Sequence, residues 1–364
     1  VVDHCHIRMF ADDTCLFLEV ENSNNNYERE RFRYHTAECI NHDLNKIYLW
    51  SKKWLVTFSP PKTKSLTISN KPDSHLNPNL HLNDHEIDEI KHHKYLGLRL
   101  SRNLKWTDHI HDISTKARKR LSLIIPLKFK LDRLSIEIMY KSFVLPIMEY
   151  GNVVWGGTYN VELQKLDRIH VDGMRLITGA TAKSNTENLY AETKWESLSQ
   201  RRTNAVAIMI YKIKNNHAPL YLQNLTPKAN NERFSYTLRN EGNIQIPTTR
   251  LETFKRSFFP TSARVWNELS LQIKSSKTLD QFKTNIKQNK DEANILYYYG
   301  ERWPSIHHAR LRLGCSKLNY DLCYNLKVID NPCCTCGAET ENAFHFFMQC
   351  PNYFELRLNL FSII

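Results

Sequence analysis

The stretch that decides the fold of the N-terminal region is Ile7-Arg-Met-Phe-Ala-Asp-Asp-Thr-Cys-Leu-Phe-Leu-Glu-Val20. Apolar residues lie on both sides of Asp12 and Asp13, which predicts a β-hairpin with the acidic pair at its turn. Such a hairpin holds two carboxylates on a stiff element, as hard divalent cations such as Mg²⁺ require. An Asp-Asp turn is more often a solvated hairpin tip, so the pair alone does not define a metal site.

The residues after this hairpin predict an antiparallel sheet backed by a helix. Helical spacing of apolar residues runs from Ala37 to Trp50. Pro60-Pro61 breaks the chain before a strand at 65–69. A second hairpin is expected from strands near 80–87 and 95–100.

From Trp106 the apolar spacing becomes helical and continues up to Pro126. The segment 224–250 is polar and loop-like, which predicts a boundary. A sheet followed by helices is typical of an α+β fold. Further helices are expected at 131–145, 161–177, 187–195, 199–215, 261–271 and 279–287.

Positive charge is concentrated in one part of the chain. The 364 residues carry a formal net charge of +12, and the segment Lys91–Lys141 holds thirteen Lys and Arg against four acids. Tyr95, Trp106 and Phe129 lie in the same segment, as phosphate contact combined with base stacking would require. A solvated basic surface is the simpler alternative. Arg118, Lys119 and Arg120 are the candidate phosphate contacts of its helix.

The cysteine distribution predicts a structural metal site near the C-terminus. Six of the nine cysteines lie in the last fifty residues. Cys333, Cys336, His345 and Cys350 form C-x2-C-x8-H-x4-C, a spacing typical of tetrahedral Zn²⁺ with all four positions filled. Gly337 permits the left-handed turn that such a knuckle uses. The alternative is a set of ordinary buried cysteines.

Five sequence segments occur in this order along the chain: Phe10-Ala-Asp-Asp13, Trp50-Ser-Lys-Lys-Trp-Leu55 with Lys62-Thr-Lys64, Lys94-Tyr-Leu-Gly-Leu98, Leu104–Ile110 and Phe143–Gly151. Together they resemble the reverse transcriptases of non-LTR retrotransposons of the LINE-type, jockey-like group. The first segment resembles the aspartate box of that family, the third its primer-grip hairpin, and the last two its post-polymerase segments.

This resemblance implies specific roles for the matched residues. Asp12 becomes the stronger Mg²⁺ ligand and Asp13 its weaker neighbour, while Lys62 becomes a proton donor to pyrophosphate. Tyr95 and Gly97 are expected at the primer end. A plain surface lysine after two prolines is the alternative for Lys62.

The run His308–Cys315, together with the Cys/His motif, resembles the C-terminal region of the same polyproteins. The resemblance implies a nucleic-acid-binding module in which Arg310 and Arg312 contact phosphates of template RNA or target DNA. Arginines that face solvent are the alternative. The region would be a zinc-knuckle-like end of a mostly helical C-terminal part.

The predicted domains are a partial polymerase palm of antiparallel hairpins plus a helix (1–104), a helical thumb or connector (105–223), a linker with short helices (224–300) and the Cys/His module (301–364). The family's other metal-binding aspartate and its fingers are expected upstream of residue 1, so an isolated chain is expected to lack polymerase activity.

The expected function is RNA-directed DNA polymerisation by the parent polypeptide, with an RNA template and a DNA primer or target as partners. A stand-alone nucleic-acid-binding module and a decayed element without activity are the alternatives. The sequence has no run of eighteen apolar residues and no signal peptide. Membrane insertion and secretion are therefore disfavoured, and an intracellular location, in cytoplasm and nucleus, is expected.

Overall fold

The computed structural model describes residues 2–19, 25–69, 79–227, 242–287 and 293–361. The chain divides into two compact units, Val1–His109 and Ile110–Ile364. The first unit combines short antiparallel hairpins with one long helix, and the described elements of the second are helical. The predicted α+β class is confirmed, whereas the palm, thumb and four-domain assignments stay predictions.

The predicted N-terminal hairpin is present. Strand β1 (His6–Phe10) pairs antiparallel with β2 (Asp13–Phe17), and Phe10 lies opposite Asp13. Ala11 and Asp12 form the turn, with Ala11 in the left-handed region at a φ of 51°. The register therefore places Asp12 in the turn and Asp13 at the first position of the returning strand.

A long helix, α1 (Asn26–Trp54), backs the sheet elements of the first unit, as its apolar spacing predicts. Asn25 caps its N-terminus by accepting a hydrogen bond from the backbone N–H of Tyr27 at 3.1 Å. Its apolar face supplies Ala37 and Leu44 to a cluster with Leu80, Leu82 and Ile87. Burial of this face holds the helix against the second hairpin.

Two hairpins form where the sequence predicts one, so the expected pairing of 80–87 with 95–100 is wrong. Strand β3 (Leu80–Leu82) pairs with β4 (His85–Ile87), and β5 (His92–Tyr95) pairs with β6 (Leu98–Ser101). Each run reverses locally because its turn residues adopt positive φ, 56° at Asn83 in the first and 46° and 82° at Leu96 and Gly97 in the second.

The predicted strand at 65–69 reduces to one parallel bridge. Ser65 pairs with Glu89, and the Ser65 N–H donates to the Asp88 carbonyl at 3.0 Å. At the other end, the Ser69 N–H donates to the Arg102 carbonyl at 2.9 Å. The segment therefore lies beside the third hairpin without forming a continuous ladder.

Helices make up the described part of the second unit, and each of the seven predicted helical segments matches one of them. The N-terminal part of α2 belongs to the first unit. The polar boundary expected at 224–250 lies partly outside the described residues, since 228–241 are not described. The helices are α2 (Thr107–Ile124), α3 (Arg133–Phe143), α4 (Leu145–Glu149), α5 (Asn152–Trp155), α6 (Asn160–Thr178), α7 (Thr186–Thr193), α8 (Leu198–Lys214), α9 (Leu220–Leu225), α10 (Glu252–Lys255), α11 (Phe258–Glu268), α12 (Leu271–Lys274), α13 (Leu279–Ile286), α14 (Arg302–Arg312) and α15 (Phe354–Phe361).

Aromatic residues from separate helices form the cores of this unit. Tyr211 of α8 stacks on Phe282 of α13, with ring centroids 4.2 Å apart, and Trp266 of α11 completes the cluster. A second contact joins α3 to α6, where a Cβ added at Gly173 would lie 2.4 Å from the Tyr140 ring. Glycine is therefore needed at this crossing because any side chain would separate the two helices.

Asp43 of α1 anchors the N-terminal segment. Its fully buried carboxylate accepts hydrogen bonds from the backbone N–H groups of Asp3, His4 and Cys5 at 2.9, 2.9 and 2.7 Å. Burial by itself raises the pKa of Asp43, but these three donors outweigh it and lower the pKa to about 2. The charged form is therefore the one that the folded unit stabilises.

Asp43→Asn is expected to destabilise the first unit by roughly 1–3 kcal/mol because it leaves buried N–H donors without acceptors. The folded-state pKa lies below the ordinary value near 3.8. The stabilisation is thus present above about pH 4 and declines as the pH falls towards 2. Hydrogen–deuterium exchange measures this effect locally, with faster exchange expected at the amides of residues 3–5.

Asp84→Asn is the matched control, because it removes an exposed carboxylate from the turn between β3 and β4. Equal exchange at residues 3–5 in both variants would contradict the anchoring role.

Candidate metal centres and nucleic-acid interface

The N-terminal hairpin presents its acidic pair to solvent. The side chains of Asp12 and Asp13 are both exposed, and the ring of the preceding Phe10 is 64% exposed. Carboxylate oxygens on a rigid turn suit a hard cation such as Mg²⁺. Among the described residues no third carboxylate, His or Cys joins this pair in a three-ligand group. The pair alone therefore does not form a three-ligand site among the described residues, and its metal-binding role stays a prediction.

Tyr95 lies on the predicted primer-grip hairpin, in the same unit as this acidic tip. Burial raises the pKa of the Tyr95 hydroxyl, and electrostatic interactions with Cys15 and Asp13 raise it further. The side chain is half-buried, while Gly97 in the adjoining turn is exposed. Two segments that are distant in sequence thus interact electrostatically.

Lys62 stands exposed at the end of a short 3₁₀ helix, Pro60–Lys62. The helix is closed by the Thr63 N–H, which donates to the Pro60 carbonyl at 3.0 Å. Its neighbour Lys64 pairs with Asp88 at 2.5 Å, and so has a structural partner. The catalytic role assigned to Lys62 stays a prediction.

The basic helix α2 separates its apolar and charged residues. Its buried side is formed by residues that include Ile113, Ala117 and Leu121. The side chains of Arg118, Lys119 and Arg120 are all exposed. These three groups are accessible to a polyanion.

Three of the four predicted zinc ligands form a cluster near the C-terminus, together with Cys334. The ligand atoms of Cys334, Cys336, His345 and Cys350 all lie within 4.8 Å of one another. The Cys334 and Cys350 sulphurs are 3.7 Å apart, and the Cys336 sulphur lies 3.2 Å from His345 Nε2. Tetrahedral Zn–S bonds of about 2.3 Å would separate two sulphurs by roughly 3.8 Å.

Cys333 lies outside this cluster, contrary to the predicted ligand set. Its side chain is exposed, and its carbonyl accepts a hydrogen bond from Asn319 Nδ2 at 2.7 Å. Cys334, which is not among the predicted ligands, is buried and belongs to the cluster instead. Of these two adjacent thiols, only that of Cys334 faces the cluster.

The turn through Gly337 shapes the site. Gly337 has a φ of 95°, as its predicted left-handed role requires, and its N–H donates to the Cys334 carbonyl at 3.0 Å. The Ala338 backbone N–H lowers the pKa of the Cys336 thiol, which favours the thiolate. His345 is oriented by its own backbone N–H, which donates to Asn342 Oδ1 at 2.8 Å.

Both arginines predicted to contact phosphates have partners within the protein. Arg312 donates to the two Glu192 carboxylate oxygens at 2.9 and 2.6 Å. The Nε of Arg310 donates to the Gly179 carbonyl at 2.9 Å, just after the C-terminus of α6. Arg133, which is buried, also pairs with Glu192 at 2.7 Å. These contacts give Arg310 and Arg312 structural roles that sequence spacing does not reveal.

The comparisons with known proteins find relatives of this chain among RNA-directed DNA polymerases. The chain is 23% identical over 188 residues to the probable RNA-directed DNA polymerase from transposon X-element of Drosophila melanogaster, covering 51% of this chain and 19% of the relative. It is 28% identical over 164 residues to the RNA-directed DNA polymerase from mobile element jockey of the same species, covering 44% and 18%.

A third relative is the probable RNA-directed DNA polymerase from transposon BS, 24% identical over 148 residues, covering 39% of this chain and 16% of that protein. The resemblance to reverse transcriptases of non-LTR elements is therefore confirmed. The chain spans less than a fifth of the length of each curated relative that it matches. No family model matches the chain, and no solved structure matches it significantly.

None of the helices in the described ranges is both long and apolar enough to cross a membrane.

The Cys/His cluster is expected to bind one equivalent of Zn²⁺ through Cys334 and Cys336, so Cys334→Ser and Cys336→Ser should each lose it. Elemental analysis of the purified chain measures the metal content. Cys333→Ser is the matched control, since this exposed thiol lies outside the cluster and its loss should leave the metal in place. If Cys333→Ser lost the zinc and Cys334→Ser kept it, the ligand would be Cys333, as the C-x2-C spacing predicts.

Proposed function

We propose that this chain is the C-terminal part of an RNA-directed DNA polymerase of a non-LTR retrotransposon. In the full-length protein it would take part in two-metal nucleotidyl transfer on an RNA template with a DNA primer or target. The observation that carries the proposal is the exposed Asp12-Asp13 tip, since it begins the ordered series of segments that resemble this family. The relatives, all RNA-directed DNA polymerases, support it.

The acidic tip would hold Mg²⁺ through Asp12, with Asp13 as the weaker ligand. When bound, two such ions activate the primer hydroxyl and neutralise the leaving pyrophosphate. Tyr95 would contact the primer end, with Gly97 in the adjoining turn allowing close approach of the backbone. Lys62 would donate a proton to the pyrophosphate.

The exposed basic side chains of helix α2 support a nucleic-acid-binding role for the second unit. Arg118, Lys119 and Arg120 would neutralise backbone phosphates, whereas the Cys/His cluster would use Zn²⁺ to stabilise the C-terminal fold. RNA template and DNA target would place the polymerase in both cytoplasm and nucleus. A stand-alone nucleic-acid-binding module is the second candidate function. The exposed cations of α2 and the Cys/His cluster could serve such a module without the acidic tip.

In the full-length polymerase, Asp12→Asn is expected to reduce primer extension on an RNA template by about 10³-fold or more, because metal-ion charge stabilisation supplies several kcal/mol. Asp13→Asn should cost less. The reaction is measured with Mg²⁺ and labelled primer, and Asp84→Asn serves as the control for an exposed hairpin-turn carboxylate. Full activity in Asp12→Asn would refute the metal role, and an inactive wild-type protein would favour a decayed element.

Replacing Lys119 and Arg120 together with Gln is expected to weaken binding of the chain to single-stranded nucleic acid. The slope of log affinity against log salt should also fall in magnitude by about 1.4, since each phosphate contact contributes roughly 0.7. Fluorescence anisotropy across a salt series measures both quantities. Lys277→Gln with Lys287→Gln removes the same charge from exposed lysines near α13, and an equal effect there would show that only net charge matters.

A further inference from the structure

Three aromatic rings stack on the surface of the second unit. Phe129 follows the short 3₁₀ helix Ile125–Leu127, and its ring lies 5.0 Å from that of Trp303 at an interplanar angle of 10°. Trp303 in turn stacks on His307, one turn further along α14, at 5.9 Å and 23°. The rings come from two elements that are far apart in sequence, so folding assembles this stack.

The stack remains open to solvent although it contains two large aromatic side chains. The Phe129 side chain is 46% exposed and that of Trp303 55% exposed, and His307 is also exposed. Burial of such rings would normally stabilise a fold, so an exposed and ordered aromatic stack points to a binding surface.

Basic groups border the stack. The Lys128 ammonium lies 5.5 Å from the centroid of the Phe129 ring, and Lys130 is exposed on the same turn. Burial lowers the pKa of Lys128, and the positive charges of Arg310 and Arg302 lower it further. Cations therefore crowd this edge of the stack.

Two nearby acids, Asp132 and Glu301, offset part of this positive charge, but the four cations Lys128, Lys130, Arg302 and Arg310 outnumber them. The Asp132 carboxylate is occupied by Ser135, which donates its N–H at 2.9 Å and its hydroxyl at 2.6 Å. Glu301 is exposed at the N-terminus of α14. The surface thus combines flat π faces with a net positive edge.

Arg302 holds the two halves of the stack together. Its guanidinium donates to the Lys128 carbonyl at 2.8 Å, and also to the carbonyls of Ile177 at 2.8 Å and Leu176 at 3.0 Å. The side chain is buried and ties the turn that carries Phe129 to the start of α14. The rings are therefore in place before a ligand arrives, which reduces the entropic cost of binding.

We propose that Phe129, Trp303 and His307 form a stacking platform for an unpaired base of single-stranded nucleic acid, with the phosphates at its Lys128 and Lys130 edge. The proposal rests on the nucleic-acid function proposed above, and it specifies that this surface binds single-stranded rather than duplex nucleic acid. Stacked aromatic rings beside basic groups are the features that bind single strands, because every base has a π face. A duplex keeps its bases paired and would gain nothing from the platform.

The test uses the whole chain and fluorescent oligonucleotides of about twelve nucleotides, within the usual site sizes for single strands. Binding is measured by anisotropy for an oligouridylate, an oligothymidylate, a duplex and an abasic strand of equal length. Trp303→Ala is expected to weaken binding to the base-carrying single strands by about 5- to 100-fold. Its effect on the abasic strand should be under about twofold, because only phosphate contacts remain there.

Trp303→Phe keeps a stacking ring and should restore most of the affinity, whereas Trp303→Leu should not. Phe254→Ala is the matched control, since this ring is 47% exposed and adjoins Lys255 on α10. Phe129→Ala provides a second variant on the other element, so the proposal is still tested if Trp303→Ala does not fold by circular dichroism.

Unchanged binding in both ring variants, or an equal loss on the abasic strand, would overturn the platform. In that case salt-dependent binding by the wild-type chain would leave the proposed nucleic-acid function standing. A wild-type chain that binds none of the four probes would overturn both. A difference between oligouridylate and oligothymidylate would show whether RNA or DNA is the preferred source of the base.

Discussion

The guanidinium of Arg302 donates hydrogen bonds to three backbone carbonyls, and much of the second unit depends on this one side chain. Two of the carbonyls belong to Leu176 and Ile177, in the last turn of α6, where helix geometry leaves them without intrahelical partners. The third belongs to Lys128, so the same group fixes a distant turn. Burial and the neighbouring Arg133 lower the pKa of Arg302 to about 10, and the group therefore stays charged at neutral pH.

Other cations of this basic chain are used in the same way. Arg133 and Arg312 share the buried carboxylate of Glu192, and Arg310 binds the carbonyl that follows α6. A buried carboxylate with two guanidinium partners is held by charge-assisted hydrogen bonds, which are stronger than those between neutral groups. The formal charge of +12 therefore overstates what a nucleic acid can contact. The exposed cations of α2 remain accessible, and so the charge that matters for binding depends on where each side chain lies.

Local features were predictable from sequence, whereas pairings between segments were not. Apolar residues on both sides of Asp12 and Asp13 predict the first hairpin correctly because the turn and both strands lie within twelve residues, His6–Phe17. The predicted pairing of 80–87 with 95–100 is wrong, since each run contains its own turn. The C-x2-C spacing favours Cys333, but the folded loop buries Cys334 instead. Two adjacent thiols have nearly the same spacing to His345, and only the direction of each side chain separates them.

The sequence by itself determined the acidic hairpin, the helical segments, the approximate Cys/His cluster and the resemblance to non-LTR reverse transcriptases. Each of these is encoded in neighbouring residues, through turn propensity, apolar period or motif order. The tertiary structure alone decided that Arg310 and Arg312 serve the fold and that Phe129 stacks on Trp303. These relations join residues far apart along the chain. No local sequence pattern specifies which distant side chain will make a given hydrogen bond or ring contact.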